Sequence, residues 1–97
     1  MSATQLIEKI AKHEELKKEE LIRESLEAYF REKKRKLLEE KFEILSRYGV
    51  TSATELKKAI KSGKAIEHPG WEDLIEVQNI DEELKEIEND LRRLQKS

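Results

Sequence analysis

Apolar residues recur along this chain at the spacing of α-helices, and the pattern predicts four of them. A short N-terminal helix, capped by Ser2 or Thr4, is predicted from the apolar positions Leu6, Ile7, Ile10 and Ala11. A long helix follows from about residue 18 to residue 48, and a charged waist divides its apolar positions into two stripes. The first stripe contains Leu21, Ile22, Leu26, Tyr29 and Phe30, and the second contains Leu37, Leu38, Phe42, Ile44, Leu45 and Tyr48. Two stripes on one helix predict two packing partners.

Capping signals mark the remaining boundaries. Gly49 followed by Val50 is typical of a left-handed cap at the end of a helix. The residues Ser52, Ala53, Thr54 and Glu55 form a capping-box pattern that opens a short connector helix. Gly63 closes this helix, and residues 64–70 are predicted to be a loop whose turn is Pro69-Gly70.

The last segment carries the most regular pattern, a heptad seam. Its apolar positions are separated by 3, 4, 3, 4 and 3 residues, and they are Val77, Ile80, Leu84, Ile87, Leu91 and Leu94. Because fewer than three heptads is short for a free coiled coil, we expect the seam to pack on the long helix or on another chain. The predicted fold is all-α: a helical hairpin of the long helix and an antiparallel C-terminal helix, plus short N-terminal and connector helices. Residues 1–48, the N-terminal and long helices, are predicted to dimerise, and residues 49–70 form the connector helix and loop. Residues 71–97 are the acidic heptad helix, predicted to bind a partner or to close the hairpin.

Composition narrows the classes of function. The chain of 97 residues is 43% charged and 36% hydrophobic and contains no cysteine, which excludes disulfides and thiolate metal sites. No apolar run is long enough to cross a membrane, and the first residues lack a basic region followed by an apolar stretch. We therefore expect a cytoplasmic protein with no membrane partner.

The formal charge of −2 conceals a strong asymmetry along the chain. Residues 31–64 hold eleven Lys or Arg against five Glu, whereas residues 72–90 hold nine acids against Lys85 alone. A basic middle and an acidic end can satisfy each other within one chain or between chains. The simpler interpretation is mutual pairing rather than two separate binding functions.

Catalysis and metal binding find little support in the sequence. His13-Glu14 begins like a zinc-protease helix, but Lys17 stands where the second histidine would be needed. His68 precedes Pro69 and reads as a loop residue or a neighbour of Trp71. We predict no enzyme, no cofactor and no metal site. A nucleic-acid site at the run Lys33, Lys34, Arg35 and Lys36 is less favoured than a solvated helix face, because glutamates flank the run and no aromatic residue interrupts it.

Three stretches resemble small archaeal antitoxins of type II toxin–antitoxin systems. Residues 16–30 read LKKEELIRESLEAYF and resemble the helical part of ribbon-helix-helix antitoxins. Residues 47–50 (RYGV) and residues 68–76 (HPGWEDLIE) resemble the C-terminal portion of those small antitoxins. Ribbon-helix-helix antitoxins begin with an alternating strand that enters DNA, whereas residues 2–12 have helical periodicity, so the resemblance does not extend to DNA binding through a ribbon.

The resemblance implies a dimerising N-terminal region and a C-terminal region that binds and neutralises a small basic toxin, commonly a ribonuclease. The implied dimer core is Leu21, Ile22, Leu26 and Phe30. The implied toxin-facing residues are Trp71, Leu74 and Ile75 with the acids Glu72, Asp73 and Glu76. An antitoxin-like homodimer is the leading hypothesis. A self-associating coiled-coil adaptor is the second hypothesis, and weak nucleic-acid binding is the third.

Overall fold

The computed structural model describes residues 1–96 and contains four α-helices and no strand among them. They are α1 (Ala3–His13), α2 (Lys18–Ser46), α3 (Ala53–Lys61) and α4 (Glu67–Lys96). The long helices α2 and α4 pack against each other, α3 packs on α4, and α1 packs on α2. The predicted all-α helical hairpin is therefore confirmed.

Ion pairs between α2 and α4 define an antiparallel register. They join Lys34 Nζ to Glu88 Oε1 at 2.5 Å, Lys41 Nζ to Asp81 Oδ1 at 2.5 Å, and Arg47 Nη2 to Asp73 Oδ1 at 3.8 Å. From one ion pair to the next, the α2 residue lies nearer the C-terminus of α2 and the α4 residue lies nearer the N-terminus of α4. The two shifts are of nearly the same number of residues. The basic middle and the acidic end of the chain thus meet within one molecule, in agreement with the simpler interpretation of the charge asymmetry.

The core lies where α2, α3 and α4 meet. Its buried members are Ile44, Leu45, Leu56, Ile60, Leu74, Val77 and Ile80, and Leu56 and Val77 are fully buried. The heptad seam continues this core along α4: Ile87 and Leu91 are also buried, and Leu84 and Leu94 are half-buried. The seam is therefore largely used inside the chain.

The cap at Gly49 is as predicted. Gly49 has a φ of 67°, its N–H donates to the Ser46 carbonyl at 3.2 Å, and the Val50 N–H donates to the Leu45 carbonyl at 3.2 Å. These two bonds form a Schellman motif, and Val50 packs against the core beside it. The backbone reverses here so that α3 can lie over α4.

The start of α3 agrees with the capping prediction in part. The Glu55 N–H donates to Ser52 Oγ at 3.1 Å, but the Glu55 carboxylate accepts from the Thr51 N–H at 2.8 Å rather than from Ser52. At the other end of the chain Ser2, and not Thr4, caps α1 through a complete capping box with Gln5.

The predicted loop at residues 64–70 is wrong in its second half, because α4 already begins at Glu67. His68 and Pro69 have non-helical backbone angles, and the Gly70 N–H donates to the Ile66 carbonyl at 3.2 Å. A proline is tolerated in a first helical turn, where its missing N–H has no helical partner to lose. Gly70 is buried, and a Cβ there would lie 3.2 Å from Ile60 Cγ1. Its role is the close approach of α3 and α4 rather than a turn.

The molecule is elongated. The radius of gyration is 19.3 Å, against about 13 Å for a compact domain of 100 residues, and the extents are 60 × 27 × 17 Å. Extending the register of the ion pairs brings Lys96 about level with Leu26. Leu94, close to the end of α4, borders a depression that Glu19, Ile22 and Arg23 of the first turns of α2 also line, and α1 packs on α2 as well.

Candidate interaction surfaces

The predicted partner-binding set at the start of α4 is divided by the fold. Leu74 is only 3% exposed and Asp73 is also buried, so neither can face a partner in this structure, and that part of the prediction is wrong. Trp71 is half-buried against the core, whereas Glu72, Ile75 and Glu76 are exposed. Helical periodicity explains the division, because Leu74 shares a face with Val77 and Ile75 lies on the opposite side.

Asp73 has an internal role that the sequence did not reveal. The Tyr48 hydroxyl donates a hydrogen bond to Asp73 Oδ2, and the Arg47 guanidinium lies 3.8 Å from Oδ1. Burial and then the hydrogen bond to Asp73 raise the pKa of Tyr48 to about 12. The contact joins the N-terminal part of α4 to the end of α2. We therefore assign Asp73 to the stability of the fold and not to a binding surface.

The outer side of α4 remains acidic and accessible. We call Glu72, Glu76, Glu83 and Glu86 the acidic face; these exposed residues follow one side of the helix, with the exposed Ile75 beside them. His68 Nδ1 lies 2.9 Å from Glu72 Oε1. The pKa of Glu72 is lowered by a hydrogen bond that its own backbone N–H donates to its carboxylate, and then by this contact with His68. The face can attract a basic protein, but surface charges of this kind contribute little each.

The predicted dimer core at the start of α2 is partly exposed. Leu21 and Phe30 are half-buried, whereas Ile22 is 37%, Leu26 41% and Tyr29 58% exposed. We call Ile22, Leu26 and Tyr29 the α2 patch. Ile22 and Leu26 line a shallow depression together with Leu94 of α4. The sequence did not predict that Leu94 would lie beside these two residues. On α1, Leu6 and Ile10 are exposed as well.

A second apolar surface lies near the end of α2, on the stripe for which the sequence predicted a packing partner. Phe42 is 74% exposed and Leu38 is also exposed, and both line an open groove with Leu45 and Val50. The second stripe of α2 is wider than its neighbours can cover, because α4 lies along the side that carries Leu37 and Leu45. The chain's own helices thus pack on part of the second stripe and leave Leu38 and Phe42 exposed.

The basic run on α2 is partly neutralised within the chain. Lys34 pairs with Glu88, and Arg35 donates to both Glu32 and Glu39 at 2.8 Å, which raises the pKa of Arg35 and lowers that of Glu32. Lys33 and Lys36 are exposed, and no carboxylate among residues 1–96 lies within ion-pair distance of either. Two exposed lysines, of which Lys36 also acts on Glu32, give a weak electrostatic attraction for nucleic acid.

The part of the chain that the structure describes holds no cluster of three potential metal ligands among His, Asp and Glu. Both histidines are exposed, His13 at the end of α1 and His68 before Pro69. Within residues 1–96 no helix combines the length and the apolar character needed to cross a membrane.

Comparison with family models gives one match, which extends over residues 1–97. The chain belongs to the uncharacterized protein MJ0235 family. Neither the comparison with curated proteins nor the comparison with solved structures gives a match.

Proposed function

We propose that this protein is a non-enzymatic helical interaction module of the cytoplasm whose first partner is a second copy of itself. The observation that carries the proposal is the α2 patch: Ile22, Leu26 and Tyr29 stay exposed on one flank of a regular helix. Their spacing of four and three residues is that of an apolar seam between helices.

The chain's own helices cover the α2 patch only in part. The register of α2 and α4 brings Lys96 about level with Leu26, and Leu94 borders Ile22 and Leu26 from one side while these two residues stay 37% and 41% exposed. In an isologous dimer each patch is buried by its copy, which doubles the apolar area removed from water for one set of residues. The predicted dimer residues Ile22 and Leu26 belong to this patch, while Leu21 and Phe30 support it from the half-buried side.

Sedimentation analysis across a concentration series tests this proposal. We expect wild-type protein to show a reversible monomer–dimer equilibrium. Leu26→Asp should raise the dissociation constant by about a hundredfold, because it places a carboxylate in an apolar contact in both copies. Ile75→Asp, at an exposed isoleucine on α4, is the matched control and should leave the dissociation constant unchanged. A wild-type protein that sediments as a monomer at every concentration would contradict the proposal.

A second candidate function is antitoxin-like binding of a small basic protein by the acidic face. The resemblance of residues 68–76 to antitoxins and the exposed Ile75 beside Glu72 and Glu76 favour it. Since Leu74 and Asp73 are committed to the core, such a partner would have to contact α4 from outside.

This alternative predicts a neighbouring gene that encodes a small basic ribonuclease. The purified nuclease should bind the wild-type chain, and binding should weaken when Glu76, Glu83 and Glu86 are together replaced by Gln. Replacing Glu40, Glu43 and Glu24 on α2 by Gln changes the charge equally and should have a smaller effect. Equal loss in both triple variants would show attraction by net charge alone.

A further inference from the structure

The α2 patch lies at the centre of a longer stripe with charges of opposite sign at its two ends. Exposed residues continue on the same side of α2 at intervals of 3, 4, 3, 4 and 3, and they are Glu19, Ile22, Leu26, Tyr29, Lys33 and Lys36. The order along the helix is therefore acid, three apolar residues and two lysines. A stripe of this kind complements itself only when it is reversed.

The charged side chains of this stripe are exposed, and the charge of Lys36 acts, after that of Arg35, to lower the pKa of Glu32 on the same helix. Among residues 1–96 no ion pair involves Glu19, Lys33 or Lys36, although neighbouring side chains on other sides of α2 are paired, such as Lys34 with Glu88 and Arg31 with Glu27. The ion pairs of α2 thus use its other faces, and on this flank Leu94 of α4 borders Glu19, Ile22 and Leu26 from one side while all six residues of the stripe stay exposed.

We propose that a second copy docks on this stripe antiparallel to the first, with a twofold axis passing between residues 27 and 28 of the two α2 helices. This arrangement, which rests on the self-association proposed above, sets Leu26 of one chain opposite Tyr29 of the other. Ile22 then lies opposite the aliphatic stem of Lys33, and Glu19 lies opposite Lys36. Each contact occurs twice because the interface is isologous.

Charge decides against the other simple arrangements. A parallel, in-register pair would place Glu19 against its own copy and Lys36 against its own copy, and like charges in contact are destabilising. An antiparallel pair centred on Leu38 would match Lys36 with Glu40 and Lys33 with Glu43. It would also carry Ile22 and Leu26 past the end of the partner's α2 at Ser46, so the most apolar part of the stripe would find no helix to cover it.

A charge-exchange experiment tests the register. Lys36→Glu and Glu19→Lys are made in separate, differently tagged full-length chains. Each variant alone faces like charges at both symmetric contacts, so its self-association should weaken by about tenfold. An equimolar mixture restores both pairs in the heterodimer, and native mass spectrometry should show heterodimer well above the statistical half of all dimers. Glu24→Lys, on the other side of α2, serves as the matched control and should leave self-association at the wild-type level.

The outcomes separate this proposal from the one on which it rests. If wild type dimerises and Leu26→Asp abolishes dimerisation, but the two charge variants mix statistically, self-association stands and this register is wrong. Selective pairing of Lys36→Glu with Glu40→Lys instead of Glu19→Lys would establish the register centred on Leu38 and overturn ours. If wild type is monomeric at every concentration, both proposals fail together.

Discussion

The two ends of this molecule differ in how many helices meet there. At one end the last turns of α2, the whole of α3 and the first turns of α4 surround Leu56 and Val77, which are fully buried. At the other end α1 lies on α2 with Ala11 as its buried residue, and larger apolar side chains such as Leu6 and Ile10 stay exposed. Both ends carry amphipathic helices, so the difference arises from the third helix. Two helices bury one stripe each, and a third is needed to enclose a core.

The largest expected effect comes from truncating a buried side chain at the end where α2, α3 and α4 meet, which we call the enclosed end; the end where α1 lies on α2 is the open end. Leu56→Ala should lower the free energy of unfolding by about 3 kcal/mol, because it deletes a fully buried side chain and leaves a cavity. Urea unfolding followed by circular dichroism measures the loss. Leu6→Ala makes the same chemical change at the open end and should lower the free energy of unfolding by less than about 1 kcal/mol. Equal losses in the two variants would show that the ends do not differ as described.

A smaller effect is expected at the contact between Tyr48 and Asp73. Tyr48→Phe leaves the buried Asp73 carboxylate with Arg47 as its neighbour and should lower the free energy of unfolding by about 1–2 kcal/mol. The pKa of Tyr48 is raised to about 12 in the folded state, from the value of 10 that an unperturbed tyrosine has. The hydroxyl therefore stabilises the fold fully below pH 10, and this contribution is lost as the pH rises through 12.

Urea unfolding at pH 8, 10 and 12 separates the tyrosine from other alkaline effects. The stability difference between wild type and Tyr48→Phe should shrink as the pH rises from 10 to 12. Tyr29→Phe removes an exposed hydroxyl at the open end and should follow wild type at every pH. A constant difference between wild type and Tyr48→Phe would mean that the hydroxyl does not carry the effect.

The smallest expected change strengthens the open end. Helix α1 ends in a Schellman motif in which the Leu16 N–H donates to the Ala11 carbonyl at 2.8 Å, and Glu15 occupies the left-handed position with a φ of 59°. A residue with a Cβ is strained there and glycine is not, so Glu15→Gly should stabilise α1 by about 1 kcal/mol. Thermal unfolding followed by circular dichroism should show a higher midpoint. Glu14→Gly, at a φ of −86°, should show no gain.

The sequence predicted the helices and the hairpin because periodicity states which residues share a face. The seam from Val77 to Leu94 and the cap at Gly49 follow from local spacing and backbone geometry, and both agree with the structure. Spacing does not state how far a neighbouring helix extends or which of two faces it covers. For that reason the spacing did not show that Phe42 stays exposed while its neighbours in the stripe are packed, and Leu74 was assigned to a partner but lies in the core.

The contact between Gly70 and Ile60 shows the same limit at a finer scale. A proline-glycine pair predicts a turn from local preferences alone. Gly70 instead leaves room for the Ile60 side chain of α3 to lie close to α4, where a Cβ would crowd it. The need for glycine is therefore set by a residue ten positions earlier in the chain. Ile22 and Leu26 of the α2 patch belong to the predicted dimer core and Tyr29 does not; how far α4 covers these residues depends on the register of the two long helices, which local spacing does not state.

The single buried residue of α1 also has a consequence for motion. A helix held by so little buried surface can detach and reclose while α2, α3 and α4 stay assembled, so its amides should exchange with solvent through local opening rather than through global unfolding. The same opening exposes Leu16 and the turn before α2 to proteases. If a second copy bound to the α2 patch and made this opening rarer, hydrogen exchange at the amides of α1 would slow. The slower exchange would appear even if the second copy did not contact α1 itself.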